Sequence, residues 1–194
     1  EFLVNPSVHE VAGEDQASST IDHQVLVIDH RAKDEMLEQL VNRDGKTLVF
    51  ARTRAYAERL AEQFHMAGIP SVSLHGDLNQ ARRTRNLERL TSGRVRVLVA
   101  TDIAARGIDV EALGHVVNFD VPKVPEDYIH RVGRTARAEA TGDAFTFVSH
   151  EEEADLARIE RAIGKRLPRV TVPDFDYGPQ GAPSIAPPAS RPPQ

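Results

Sequence analysis

A chain of 194 residues can bury one core of ordinary domain size and is short for two. It has no cysteine, which excludes disulfides and thiolate metal sites and fits a reducing, cytoplasmic setting; no run of about 18 apolar residues offers a membrane span, and the start lacks a signal-peptide layout. With 29 acidic against 24 basic residues, net −5, the chain as a whole does not read as a polyanion binder, so any nucleic-acid contact must come from local arginine clusters such as Arg82, Arg83 and Arg85 or Arg131, Arg134 and Arg137.

Residues 1–19 show no periodic pattern and read as a lead-in, ordered at most from Asn5-Pro6. Beyond them, short β-branched apolar runs alternate with amphipathic segments of helical length, the pattern of a mostly parallel sheet flanked by helices. In chain order the expected elements are a strand over Gln24–Asp29, a helix over Arg31–Val41, a strand over Thr47–Ala51 and a helix over Thr53–Met66. A strand over Ser71–Leu74, a helix over Asn79–Leu90, and strands over Val95–Thr101 and His115–Asp120 follow. Helix Pro125–Val132, strand Ala144–Ser149 and helix Glu151–Ile163 complete a domain expected to span residues 20–172. Gly68, Gly93 and Gly164 stand where helix C-caps belong. Residues 173–194, rich in proline, alanine and serine toward the end, read as a disordered tail or linker.

Open parallel sheets place their working residues beyond the C-terminal ends of the strands, so the loops after each strand matter most. After the expected fourth strand comes Thr101-Asp102-Ile103-Ala104-Ala105-Arg106-Gly107-Ile108-Asp109, where small residues allow close backbone approach and polar residues supply contacts. The helix after the fifth strand ends in His130-Arg131-Val132-Gly133-Arg134-Thr135-Ala136-Arg137. Its three arginines would repel one another unless they face a polyanion or carboxylates, and the planar guanidinium suits phosphate oxygens. After the third strand, His75-Gly76-Asp77-Leu78-Asn79-Gln80-Ala81-Arg82-Arg83 offers a backbone approach at Gly76, a helix cap at Asn79, and Gln80 and Arg83 one turn apart. Leu48–Arg54 is a buried strand entering a polar loop. Singly, each stretch also fits an ordinary capped or charged surface.

Taken together and in this order, the four stretches resemble the second-half motifs of DEAD-box RNA helicases: motif IV at Leu48–Thr53, the Gln80-x-x-Arg83 element, motif V at Thr101–Asp109 and motif VI at His130–Arg137. The resemblance covers about residues 20–150, and the flanking residues Asn5-Pro6, Ala140-Thr141-Gly142 and Leu167–Val170 look most like the bacterial RhlE-type subgroup. It implies a RecA-like P-loop NTPase fold that lacks the P-loop itself. In an ATP-dependent RNA helicase of this kind, Arg134 and Arg137 would reach the γ-phosphate of ATP held on an N-terminal RecA-like domain of the same protein, Arg137 as the arginine finger, and Asp109 would meet the ribose. Mg2+ would be held mainly by that other domain. RNA-backbone contacts, indifferent to base sequence, are implied for Thr53, Gly76, Arg83, Thr101 and Gly107, while His130 and Arg131 would couple the two sites. Ala136 stands where the family usually has glycine; it is harmless if that position is helical.

Gly45-Lys46-Thr47 ends like a P-loop, but Leu40 stands where its first glycine belongs and a strand follows, so it reads as a turn. The histidines show no metal-ligand spacing, and no metal site is assigned. Without a P-loop or a residue to position the attacking water, the chain alone is expected to turn over almost no ATP. A non-catalytic RNA-binding or regulatory module on the same fold is the alternative, disfavoured by the intact Arg134, Arg137 and Asp109. A Rossmann-type enzyme would want a glycine fingerprint after the first strand, where Asp29-His30-Arg31-Ala32 stands.

Overall fold

A computed structural model describes residues 21–106, 113–134, 142–179 and 181–183. The strands are β1 (Ile21–Val27), β2 (Lys46–Phe50), β3 (Ser71–Leu74), β4 (Val97–Ala100), β5 (Leu113–Asn118), β6 (Gly142–Val148) and β7 (Arg169–Val170). The helices are α1 (Lys33–Val41), α2 (Arg54–Met66), α3 (Gln80–Thr91), α4 (Asp102–Ala105), α5 (Pro125–Val132) and α6 (Glu153–Ile163), with 3-10 turns leading into α1 and α6. All strand pairs are parallel, in the order β3-β4-β2-β5-β6-β1-β7.

Both faces of the sheet are covered, and strand alternation shows why. On one face Val49, Val97, Val99, Val117 and Phe147 pack against Met36, Leu37 and Leu40 of α1 and Leu60 and Phe64 of α2. The residues between them point the opposite way: Leu48, Phe50, Leu98 and Val116 meet Leu90 of α3 and Ala104 and Ala105 of α4, while Val25, Ala144 and Val148 meet Tyr128 and Val132 of α5 and Leu156 and Ile159 of α6. Each such fully buried aliphatic or aromatic side chain contributes about 1.5–3 kcal/mol.

All six strands and five helices expected from the sequence are present, with ends differing by a few residues. The structure adds two elements. One is α4, a single turn where a loop was expected. The other is the edge strand β7, which pairs with Val25 and Leu26. Gly164 closes α6 in the left-handed conformation at φ 77°, donating to the Glu160 carbonyl at 3.0 Å. Arg169 then grips Glu160 with two bonds of 2.7 Å, and Leu167 N–H adds a third at 2.7 Å, which turns the chain back onto the sheet edge. Burial acts against the Glu160 charge, but these donors outweigh it and hold the carboxyl below its usual range.

Packed chain continues past residue 172, where the tail was expected to begin: Phe175 is buried in the α1–α2 face of the core, and the Tyr177 hydroxyl accepts the Val172 N–H at 2.9 Å. Among the described residues no helix is long and apolar enough to cross a membrane.

Candidate functional site

Because β3, β4, β2 and β5 are neighbours and all point the same way, the segments after them line one edge of the molecule. Thr53 follows β2, Gly76 follows β3, Thr101 follows β4, and α5 with His130 and Arg134 follows β5. Residues up to 81 apart in sequence, Thr53 and Arg134, are thereby gathered on one rim by topology alone.

Thr53 is exposed and caps α2, its hydroxyl accepting the Tyr56 N–H at 3.2 Å. The preceding Arg52 N–H donates to Asp120 at 3.1 Å, fastening this loop to the one after β5. Gly76 is exposed, and a Cβ there would meet nothing within 4 Å, so local packing does not demand a glycine. Its flanks are held: buried His75 bonds Glu58 at 2.7 Å through Nε2 and accepts the Asp77 N–H at 3.3 Å through Nδ1, and Asp77 pairs with Arg54 at 2.5 Å. Because Nδ1 is an acceptor, the proton lies on Nε2 and points at Glu58.

Thr101 opens α4 with a half-buried side chain, and its carbonyl accepts the Ala105 N–H at 3.0 Å. Arg83, also half-buried, donates Nη2 to the Ala104 carbonyl at 2.8 Å, satisfying one of the four carbonyls a helix end leaves open. The Gln80-x-x-Arg83 element and motif V are thus joined directly. Gln80 is exposed, 3.4 Å from the Thr84 hydroxyl.

Arg131 is the keystone of the rim. It is only 4 % exposed and forks onto Asp102 with Nε–Oδ1 and Nη2–Oδ2 both at 2.6 Å. Its remaining nitrogen, Nη1, donates to Asn118 Oδ1 at 3.2 Å and the Asp120 carbonyl at 3.0 Å, and its guanidinium carbon lies 5.0 Å from the Phe50 ring centre. Asn118 in turn donates to the Thr146 hydroxyl at 3.1 Å. Of the three arginines expected to face either a polyanion or carboxylates, Arg131 is therefore committed to a carboxylate inside the domain, where it joins motif V to motif VI. His130 is exposed and Arg134 half-buried, and both border the recess lined by Phe50, Asp102 and Arg106. Gly107, Asp109, Ala136 and Arg137 lie outside the described residues.

A second buried charge supports the same rim and was not foreseen. Lys33 of α1, fully buried, bonds Glu152 and donates to the Phe119 carbonyl at 3.0 Å. Glu152 also accepts the Val121 N–H at 2.7 Å and the Ser149 hydroxyl at 2.9 Å. Burial alone would raise the Glu152 carboxyl, but these donors and the Lys33 charge hold it below the usual range. The lysine thus pins both ends of segment 119–121, the approach to α5. Sequence alone signals this pair weakly, because a lysine and a glutamate 119 residues apart look like ordinary helix-terminal surface charges. Among the described residues no three His, Asp or Glu side chains converge as metal ligands.

Residues 32–139, more than half of the chain, match the family model described as the helicase conserved C-terminal domain. The DEAD-box ATP-dependent RNA helicase CshA of Geobacillus kaustophilus is 37 % identical over 187 residues, covering 95 % of this chain and 40 % of that protein. The CshA protein of Bacillus subtilis is 38 % identical over 182 residues, covering 93 % and 37 %. The chain therefore spans about two fifths of the length of these relatives. Among solved structures, the DEAD-box protein SrmB of E. coli, bound to regulator of ribonuclease activity A, superposes with a TM-score of 0.76 at 37 % identity, covering 84 % of this chain and 96 % of that one. A DEAD box protein from Methanococcus jannaschii gives 0.76 at 31 % identity, covering 80 % and 43 %. With the seven-stranded parallel sheet, the linked motif segments on its rim and these similarities in hand, the chain belongs to the DEAD-box RNA helicases, as their C-terminal RecA-like domain.

Proposed function

We propose that this chain is the C-terminal half of an ATP-dependent RNA helicase: it supplies arginines to an ATPase site whose phosphate cradle lies on an N-terminal RecA-like domain, and it holds RNA by its backbone during local duplex unwinding. The observation that carries this reading is the Arg131–Asp102 fork, which ties the motif VI helix to motif V and so holds His130 and Arg134 beside one recess on the rim. Arg134, with Arg137 further along, would meet the γ-phosphate, Asp109 the ribose, and His130 and Arg131 would relay closure between the nucleotide and RNA sites. Any Mg2+ would be held mainly by the N-terminal domain.

RNA would run past Thr53, Gly76, Arg83, Thr101 and Gly107. Contacts from backbone amides, hydroxyls and guanidiniums bear on phosphate and sugar, so base identity should matter little. ATP and single-stranded RNA together would close the two domains, the arginines would stabilise charge developing on the transferring phosphoryl group, and the bent strand would shed its partner. The likeness of the flanking residues Asn5-Pro6, Ala140-Thr141-Gly142 and Leu167–Val170 to the RhlE-type subgroup is what supports assigning the protein to it.

The test is RNA-stimulated ATP hydrolysis by the chain alone and after linkage to an N-terminal RecA-like domain. The chain alone should match a buffer blank, with turnover appearing only on linkage. RNA-stimulated turnover by the unlinked chain would overturn the half-site reading.

A further inference from the structure

Helix α3 buries very little: Leu90 is its only buried side chain, with Leu87 partly covered. Its outer flank carries Arg82, Arg85 and Arg89, spaced i, i+3 and i+7 and hence on one side, and Arg94 continues the row past the helix end. Arg85, Arg89 and Arg94 border one open recess together with Ser92 and a single carboxylate, Glu88. Among the described residues none of these four guanidiniums has an ion pair, although the chain carries more acids than bases and other arginines find theirs, as in Arg59–Asp34, Arg131–Asp102 and Arg169–Glu160. A row of unpaired guanidiniums repels itself and is stabilised by an anionic partner.

The row begins where the proposed RNA track ends. The N-terminal end of α3 carries Asn79 and Gln80 just after Gly76, and Arg83 bonds motif V from the same first turn. From there the twelve residues of α3 run about 18 Å. Among the described residues the exposed large apolar side chains are Met66, Ile103, Val124 and Ile129, none on this flank, so it lacks the apolar anchors that a protein partner would use.

We propose that the outer flank of α3, from Arg82 to Arg94, is a second RNA-backbone surface that holds the stretch of RNA leaving the track. It rests on the RNA reading of the rim and extends it along a face outside the family's motifs. Phosphate oxygens suit the guanidinium fork, and the absence of base-reading geometry makes the surface tolerant of sequence.

The test compares two single-stranded RNAs, about 6 nucleotides to fill the track and about 20 to overrun it, each titrated against the chain and against a combined Arg85→Gln, Arg89→Gln, Arg94→Gln variant. These side chains lie outside the core, so the melting temperature should not move. The variant should bind the longer RNA about 10-fold more weakly, with the slope of log affinity against log salt reduced by about 2, as three lost phosphate contacts require. Binding of the short RNA should be unchanged. Equal affinity of variant and parent for the longer RNA would overturn the proposal, and so would an equal loss on both lengths. Polyglutamate bound as tightly as RNA and lost in the same variant would assign the flank to an acidic protein instead. A parallel Arg83→Ala variant separates the two readings: it should weaken both RNAs, and if it weakens neither, the track reading fails whatever the α3 variant does.

Discussion

Replacing Arg131 by methionine removes the rim's central tie while keeping an apolar stem of similar length. The change abolishes two 2.6 Å charge-assisted bonds to Asp102 and leaves Asn118 Oδ1 and the Asp120 carbonyl without their donor. Breaking a buried ion pair from one side costs about 3–5 kcal/mol. The Asp102 side chain is 32 % exposed and can rehydrate, which places the loss near the lower end, about 3 kcal/mol. For a domain of this size that lowers the melting temperature by about 6–12 °C. Urea unfolding of the parent, Arg131→Met, Asp102→Asn and the double variant forms a closed cycle, and a coupling of about 1–3 kcal/mol between the two sites is expected. Arg131→Lys should recover only part of the loss, since an ammonium cannot reproduce the fork. A loss below about 1 kcal/mol for Arg131→Met, or additive single changes, would refute the structural role and return Arg131 to the ligand-facing set.

Further outcomes follow from the buried charges and the packed C-terminal segment. Lys33→Met should cost about 3–5 kcal/mol by stranding Glu152, and Lys33→Met with Glu152→Gln much less, as chemical denaturation would show; equal losses would contradict the pairing. Glu152 has a folded-state pKa below its unfolded value, so its stabilisation is present above the ordinary carboxylate range and lost as pH falls through the lowered one; Glu152→Gln should flatten that acid limb of the stability profile. His23 runs the other way in charge but not in sign. Burial first, and the Lys165 charge second, push it down from 6.5 to about 4, so the unfolded chain takes up a proton that the folded one refuses, and stability falls between those values. His23→Phe should abolish that decline, on the order of 3 kcal/mol across the window, in unfolding curves taken at several pH values. Phe175→Ala should cost about 3 kcal/mol or more by thermal melting, because the ring belongs to the core.

What could be read from the letters and what could not divide along physical lines. Strands such as Leu48–Phe50 and Val97–Ala100 are short apolar runs between turn residues, and helices such as α2 carry a helical-period apolar face with a Thr53 cap; both signals are local. Helix α4 is one turn, too short to show a period, and β7 is two residues after Pro168, held by the Arg169–Glu160 fork and not by propensity. The gathering of Thr53, Gly76, Thr101 and α5 on one rim was legible because a parallel sheet sends every such segment to the same edge. The division of labour within His130–Arg137 was not. Whether an arginine faces outward or clamps a carboxylate depends on Asp102 and Asn118, which reach it only through tertiary packing. The same limit hid Lys33, whose partners lie 86 and 119 residues away. Phe175 and Tyr177 were assigned to the tail on the composition of the residues that follow them, yet two aromatic rings are enough to dock the segment.

The most direct test of the proposed function is Arg137→Ala in the two-domain protein, read as RNA-stimulated ATP turnover beside RNA affinity and melting temperature. If the C-terminal domain completes the ATPase site with an arginine that stabilises phosphoryl-transfer charge, turnover should fall on the order of 10³-fold or more while RNA binding and melting hold. Normal RNA-stimulated turnover in that variant, or loss of the fold in place of loss of turnover, would contradict it.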